Sequence, residues 1–249
     1  MSRQTQIVSE ERDEHRRWRR LPPILAVMGL ALLLPVAAFS IRIAPLLLAP
    51  NRFVNVASIE HNAEYRDAPL MANAAQLGLA ARYMKIPYEY QHNQSYCGPT
   101  SLADVLHSLG ISRSQDEMLA NTNYHTWFGY LLGGLTLDQE ADVLRRQSDR
   151  PVTIFRSLTL EQFRAAMLSV NDPHFRIIAN FDRGPLFGRG HGHFSPLLGY
   201  IAARDLVLVG DVNRAYGSFL VSTERLWTAV DTVDDSTGKK RGLVVLRAD

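Results

Sequence analysis

Residues 21–41 contain no charged side chain, and 24–39 within them is dense in Leu, Ala, Val and Met. A helix of that composition is long enough to cross about 30 Å of hydrocarbon, and it cannot form the exposed surface of a globular domain. The run therefore divides the chain into a basic tail at 1–20, a transmembrane anchor at 21–48 and a globular domain at 49–249. The tail ends in Arg16, Arg17, Trp18, Arg19 and Arg20, lacks periodic apolar residues and reads as disordered. Only Arg42 follows the run closely, so the charge asymmetry predicts a cytoplasmic N-terminus. The expected location is a bacterial inner membrane, crossed once, with the domain facing the periplasm. Pro35 falls inside the span, where a kink is tolerated. A cleaved signal peptide is the alternative, and Ala37-Ala38-Phe39-Ser40 is a poor cleavage site for it.

Charge excludes one partner class. The formal net charge is +2, with the excess held in the arginine tail, so nucleic acid is not an expected partner. Cys97 is the single cysteine, which excludes an intramolecular disulfide and a thiolate metal cluster. A lone cysteine is ordinarily a small buried apolar residue, and its neighbours must argue otherwise.

Beyond 49, apolar residues recur at helical spacing over 68–83, through Leu70, Ala74, Leu77 and Ala81, predicting one packing helix. The run 100–109 places Leu102, Val105, Leu106 and Leu109 on one face and stops at Gly110. Two further amphipathic helices are predicted over 136–146 and 159–170, each opened by a threonine. Short apolar or β-branched runs follow at 176–181, 193–201, 206–212, 218–221 and 243–247, separated by turn residues. Helices first and an antiparallel sheet afterwards define an α+β domain.

The segment 91–100, Gln-His-Asn-Gln-Ser-Tyr-Cys-Gly-Pro-Thr, sets Cys97 at the start of a helix, where unpaired amides and the helix dipole stabilise a thiolate. That placement predicts a lowered thiol pKa. His193 opens a predicted strand and Asp211 ends the next, with a short turn at 202–205 between them, so a hairpin brings the two together. A carboxylate there fixes the imidazole tautomer that a cysteine–histidine pair needs. Gln91 is a candidate amide donor to an oxyanion, and Gln94 competes for the role. His191 and His193 also form a His-x-His pair, but no Cys, Glu or third His lies near in sequence to complete a metal site.

In this order, Gln91 to Gly110, Gly-Leu-Thr-Leu-Asp-Gln139, Gly192-His-Phe-Ser-Pro196, Leu208 to Arg214, Leu226-Trp-Thr-Ala229 and the turn 236–242 resemble the catalytic domain of phytochelatin synthases. The resemblance covers most of 88–247. It implies a papain-like fold, helical in its first half and antiparallel sheet in its second, with Cys97, His193 and Asp211 as triad and Gln91 as oxyanion donor. It further implies attack of Cys97 on the Cys-Gly bond of glutathione, release of glycine and a γ-glutamylcysteinyl thioester. Water as acceptor then gives γ-glutamylcysteine, and a second glutathione gives a phytochelatin. Arg214 matches a family arginine assigned to the substrate, and Thr136 and Gly192 fall in matched substrate segments.

No permanently bound cofactor is implied; Cd or Zn ions would enter as thiolate complexes of the substrate. After Arg214 the family continues with aromatic, lysine and Pro-Pro-Trp residues, where this chain reads Ala215-Tyr-Gly-Ser-Phe219. The departure implies an altered second-substrate site and favours hydrolysis over chain extension. No cysteine-rich region like that of plant members is present, so metal sensing by the protein itself is not expected. Two other readings remain: a bacteriocin-processing type of papain-like peptidase, and a membrane-tethered binding domain without activity. Composition and spacing say nothing of oligomeric state.

Overall fold

The computed structural model describes residues 23–48 and 63–249, which fall in two compact units divided at Pro50. The basic tail at 1–20 and the connection at 49–62 lie outside the described residues. In the first unit, helix α1 spans Pro23–Leu48 through the charge-poor run. Several of its side chains also lie outside the description, and among the described residues no helix is long and apolar enough to cross a membrane.

The second unit is α+β, as the order of periodicities predicts. Its helices are α2 (Ala68–Ala75), α3 (Gly78–Tyr83), α4 (Cys97–His107), α5 (Leu137–Ser148), α6 (Leu160–Met167), α7 (Arg183–Phe187) and α8 (Thr223–Val230). A six-stranded sheet, antiparallel throughout, is built from β1 (Val152–Arg156), β2 (Phe175–Asp182), β3 (Gly192–Ile201), β4 (Leu206–Gly210), β5 (Ser218–Ser222) and β8 (Gly242–Arg247), in the order β1-β8-β2-β3-β4-β5. A small ribbon of β6 (Val233–Asp234) and β7 (Lys239–Lys240) carries the chain into β8.

Both faces of the sheet are covered, which is why β2 and β3 are buried almost without alternation. Ile178 of β2 joins Leu102, Leu106, Val143 and Leu144 of α4 and α5 on one side. Its neighbours Ile177 and Ala179 join Phe163 and Met167 of α6 and Leu226 of α8 on the other. Leu198, Leu208 and Leu220 near the β5 edge pack under Leu79 and Tyr83 of α3.

The local chemistry explains the helix starts. Thr136 and Thr159 open α5 and α6 with reciprocal threonine–glutamine capping boxes, each satisfying two otherwise orphaned N–H groups. The continuous helix expected over 68–83 is instead two: α2 closes at Gln76, and Leu77 is extended before α3 begins at Gly78. Periodicity could not register this break, because Leu77 stays in the apolar set by packing against the same core on a different backbone path. Helices α6, α7 and α8 also alternate with strands, so the separation into a helical half and a sheet half is incomplete.

Candidate active site

The site forms where the start of α4 meets the start of β3 and the end of β4. Cys97 is the first residue of α4 and is buried, packed in one cluster with Phe194 and Val212, the neighbours of His193 and Asp211. The Phe194 backbone N–H donates to the Cys97 sulfur. Across the hairpin expected at 202–205, closed by Asp205 in the left-handed region, His193 Nε2 stands 3.0 Å from Asp211 Oδ1. The Gln91 backbone N–H donates to Val212 O at 2.8 Å, bringing the fourth predicted residue to the same place.

The segment leading to Cys97 is clamped from below. Asp104 of α4 accepts from Glu89 N at 2.7 Å. Gln115 accepts from His92 N and from the Thr100 hydroxyl while donating to Glu89 and Tyr90 O. These contacts hold the chain from Glu89 to His92 against the helix that carries the nucleophile candidate.

Electrostatics depart from one expectation. The helix start alone predicts a lowered Cys97 pKa, but burial dominates and pushes the thiol up to about 11. The amide hydrogen bonds from Phe194 and Gly98 and the charge of Arg183 act in the lowering direction and are outweighed. Burial first, then Arg183, brings His193 down to about 4, against the opposing pull of Asp211. Burial alone would raise Asp211; Arg183, then His193, hold it at about 2. The resting site thus contains a neutral thiol, a neutral imidazole and an aspartate anion. Because the anion can only accept, Nε2 carries the imidazole proton and Nδ1 keeps the lone pair that can take a proton from sulfur.

Arg183, which the sequence reading did not identify, is the charge that makes this state stable. It is buried, with Nη2 2.5 Å from Asp211 Oδ2 and its guanidinium 3.8 Å from the centre of the Tyr216 ring. Tyr216 belongs to the 215–219 stretch that departs from the family pattern, so part of that departure serves packing behind Asp211. An arginine followed by Gly-Pro reads as a surface turn in sequence; only its proximity to Asp211 in the fold reveals its role.

The other expected residues are placed as follows. Gln91 Nε2 donates to Asn93 O at 3.0 Å, so its amide must turn to serve an oxyanion, while its Oε1 is buried without a partner among the described residues. Thr136 caps α5 with its hydroxyl. Gly192 lies directly before His193, where a Cβ would overlap the Arg241 guanidinium. Arg214 is exposed, its guanidinium 4.8 Å from the centre of the Tyr90 ring.

A buried His–Asp pair on a hairpin, beside a helix-starting cysteine, is an arrangement able to support acyl transfer to a thiol. The comparisons with known proteins narrow that class. The model of the family described as phytochelatin synthase matches residues 54–243, and the chain belongs to that family. Glutathione gamma-glutamylcysteinyltransferase 3 of Lotus japonicus is 32% identical over 175 residues, covering 64% of this chain and 36% of the relative. Glutathione gamma-glutamylcysteinyltransferase 1 of Arabidopsis thaliana is 30% identical, covering 64% and 35%. The enzyme of the same name from Schizosaccharomyces pombe is 24% identical, covering 70% and 45%. The chain therefore matches less than half the length of these relatives. Among solved structures, the peptidase domain of Streptococcus ComA covers 64% of this chain and 96% of its own, at 17% identity and a TM-score of 0.43.

Proposed function

We propose that this protein cleaves glutathione at its Cys-Gly bond through a thioester on Cys97, within a papain-like fold. The observation that carries the reading is the His193–Asp211 pair, whose strand supplies the adjacent Phe194 N–H to the Cys97 sulfur, in a member of this family. Cys97 gives its proton to His193 Nδ1 as sulfur attacks the carbonyl carbon of the substrate's cysteine. Gln91 Nε2 and the Cys97 amide stabilise the tetrahedral oxyanion. Collapse breaks the C–N bond, and the imidazolium proton leaves with the glycine amine. Water then attacks the thioester, giving its proton to His193, and the thiol is restored as γ-glutamylcysteine departs. A second glutathione amine as acceptor would extend the chain instead, and the altered 215–219 stretch favours water.

Arg214, Thr136 and Gly192 are assigned to the substrate side on the strength of the family resemblance, and Cd or Zn ions enter as substrate thiolates. The same reading tethers the protein to a bacterial inner membrane through residues 21–48, with the domain in the periplasm. Support for the tether lies in the charge-free run and in the exposed apolar side chains Val27, Leu33, Leu34, Val36, Phe39 and Ile41 of α1. The test is to incubate the purified full chain in detergent with glutathione, with and without Cd²⁺, and follow products by mass spectrometry beside a Cys97→Ala control. Glycine and γ-glutamylcysteine from the intact protein only is the expected result. Longer γ-Glu-Cys chains would make it a synthase, and unchanged glutathione would sink the proposal.

A further inference from the structure

Glu140 is a buried group that the mechanism does not use. It follows directly on the capping box of α5, its own N–H bonded to Thr136 O at 2.8 Å, and this fixed first turn aims its side chain inward. The residue has no exposed surface, and neither carboxyl oxygen has a hydrogen-bond partner among the described residues. A buried carboxyl left without any donor is costly, and native proteins rarely retain one without a use for it.

Its position suggests the use. Oε2 lies against Gly98, so closely that a Cβ on that residue would overlap it. Gly98 follows Cys97 in the first turn of α4, so the carboxyl stands at the helix end that carries the sulfur. The remaining charged or titratable groups of the site approach from other elements: Arg183 from α7, His193 from β3 and Asp211 after β4. Arg183 favours a negative sulfur and Glu140 opposes it, so Cys97 sits between two groups of contrary influence.

We propose that Glu140 is a positioning residue that restrains Cys97: a carboxylic acid set against Gly98 that, once ionised, holds the sulfur as a protonated thiol. Two acids this close cannot both ionise freely, so the charge of one suppresses that of the other. Burial also raises Glu140 well above the usual carboxylate range, so its opposition to the thiolate sets in only as the pH climbs. The inference rests on Cys97 being the reactive thiol of the proposed site, but its test does not require glutathione.

The experiment measures iodoacetamide labelling of Cys97 from pH 6 to 10 in the full-length protein, comparing wild type with Glu140→Gln and Glu140→Met, and with Cys97→Ala as the blank. Both substitutions remove the ionisable group; the first keeps the shape and the second fills the site with an apolar chain. The expected result is that both variants label about threefold faster or more at the alkaline end of this range, with the rise in rate moved to lower pH. Should the Glu140→Gln variant fail to fold, the Glu140→Met variant carries the readout. Profiles that superimpose on wild type would overturn the proposal, as would acceleration in the Glu140→Met variant beside a folded Glu140→Gln variant that labels like wild type, which would mark simple repacking. Faster labelling in a protein that leaves glutathione intact would uphold the restraint and sink the proposed activity.

Discussion

Arg183 and His193 bind opposite oxygens of Asp211: the guanidinium takes Oδ2 at 2.5 Å and the imidazole takes Oδ1 at 3.0 Å. Asp211 also accepts the Asn213 amide on Oδ1 at 2.8 Å, so it is held from three directions with no exposed surface. Removing one arm leaves a buried anion short of a partner. Arg183→Met is expected to destabilise the domain by about 3–5 kcal/mol in urea unfolding. Arg183→Lys should recover part of that loss, and equal midpoints for Arg183→Met and wild type would refute the role.

The same trio sets a pH dependence of stability. His193 has a folded pKa of about 4, below its ordinary value of 6.5, so the unfolded chain binds a proton the folded one refuses as pH falls through that interval. Stability should therefore decline from about pH 6.5 to 4. Asp211 is depressed to about 2, so its contribution is present above about 4 and is lost as pH falls towards 2. Urea midpoints from pH 8 to 3 should slope downward throughout the acid range, and His193→Gln should flatten the portion above 4. A wild-type curve level between 7 and 4 would contradict the neutral, buried imidazole.

Activity should follow the same groups. His193 must be unprotonated to accept from sulfur, so the acid limb of kcat/KM for glutathione is expected well below 6.5, near 4. Cys97→Ala should abolish the thioester, and His193→Ala should be nearly as damaging because the members act as a unit. Asp211→Asn should cost less than loss of the nucleophile, and Gln91→Ala about 10²-fold to 10³-fold in kcat. Single-turnover measurement of glycine release distinguishes these cases.

Gly98 offers a packing test. A methyl group there would meet the Glu140 carboxyl and Leu135. Gly98→Ala should destabilise by about 1–3 kcal/mol, and adding Glu140→Ala should return part of it in a double-mutant cycle. Strict additivity of the two changes would show that the carboxyl and the glycine are not in contact.

Much of this site was legible in the sequence because its parts are local. A helix start marks Cys97, a four-residue turn between apolar runs brings His193 to Asp211, and threonine–glutamine spacing announces α5 and α6. Arg183, Gln115 and Glu140 were not legible, since each acquires its role from elements distant in the chain. An arginine before Gly-Pro and a glutamate in a polar helix turn look solvated until tertiary packing buries them. Strand β1 was missed for a related reason: it is a short edge strand, and its partner β8 lies about 90 residues later.

That pairing shapes how the domain can come into being. β8 lies between β1 and β2, hydrogen-bonded to both, so the sheet has a gap at its second position until residues 242–247 arrive. During synthesis β1 has no neighbour to pair with, and Ile178 and Val244, partners in register, cannot meet beneath α4. The helix that carries Cys97 thus gains its floor only when this strand slots in, and a ribosome stalled before residue 242 would hold a chain with an open sheet and exposed apolar edges.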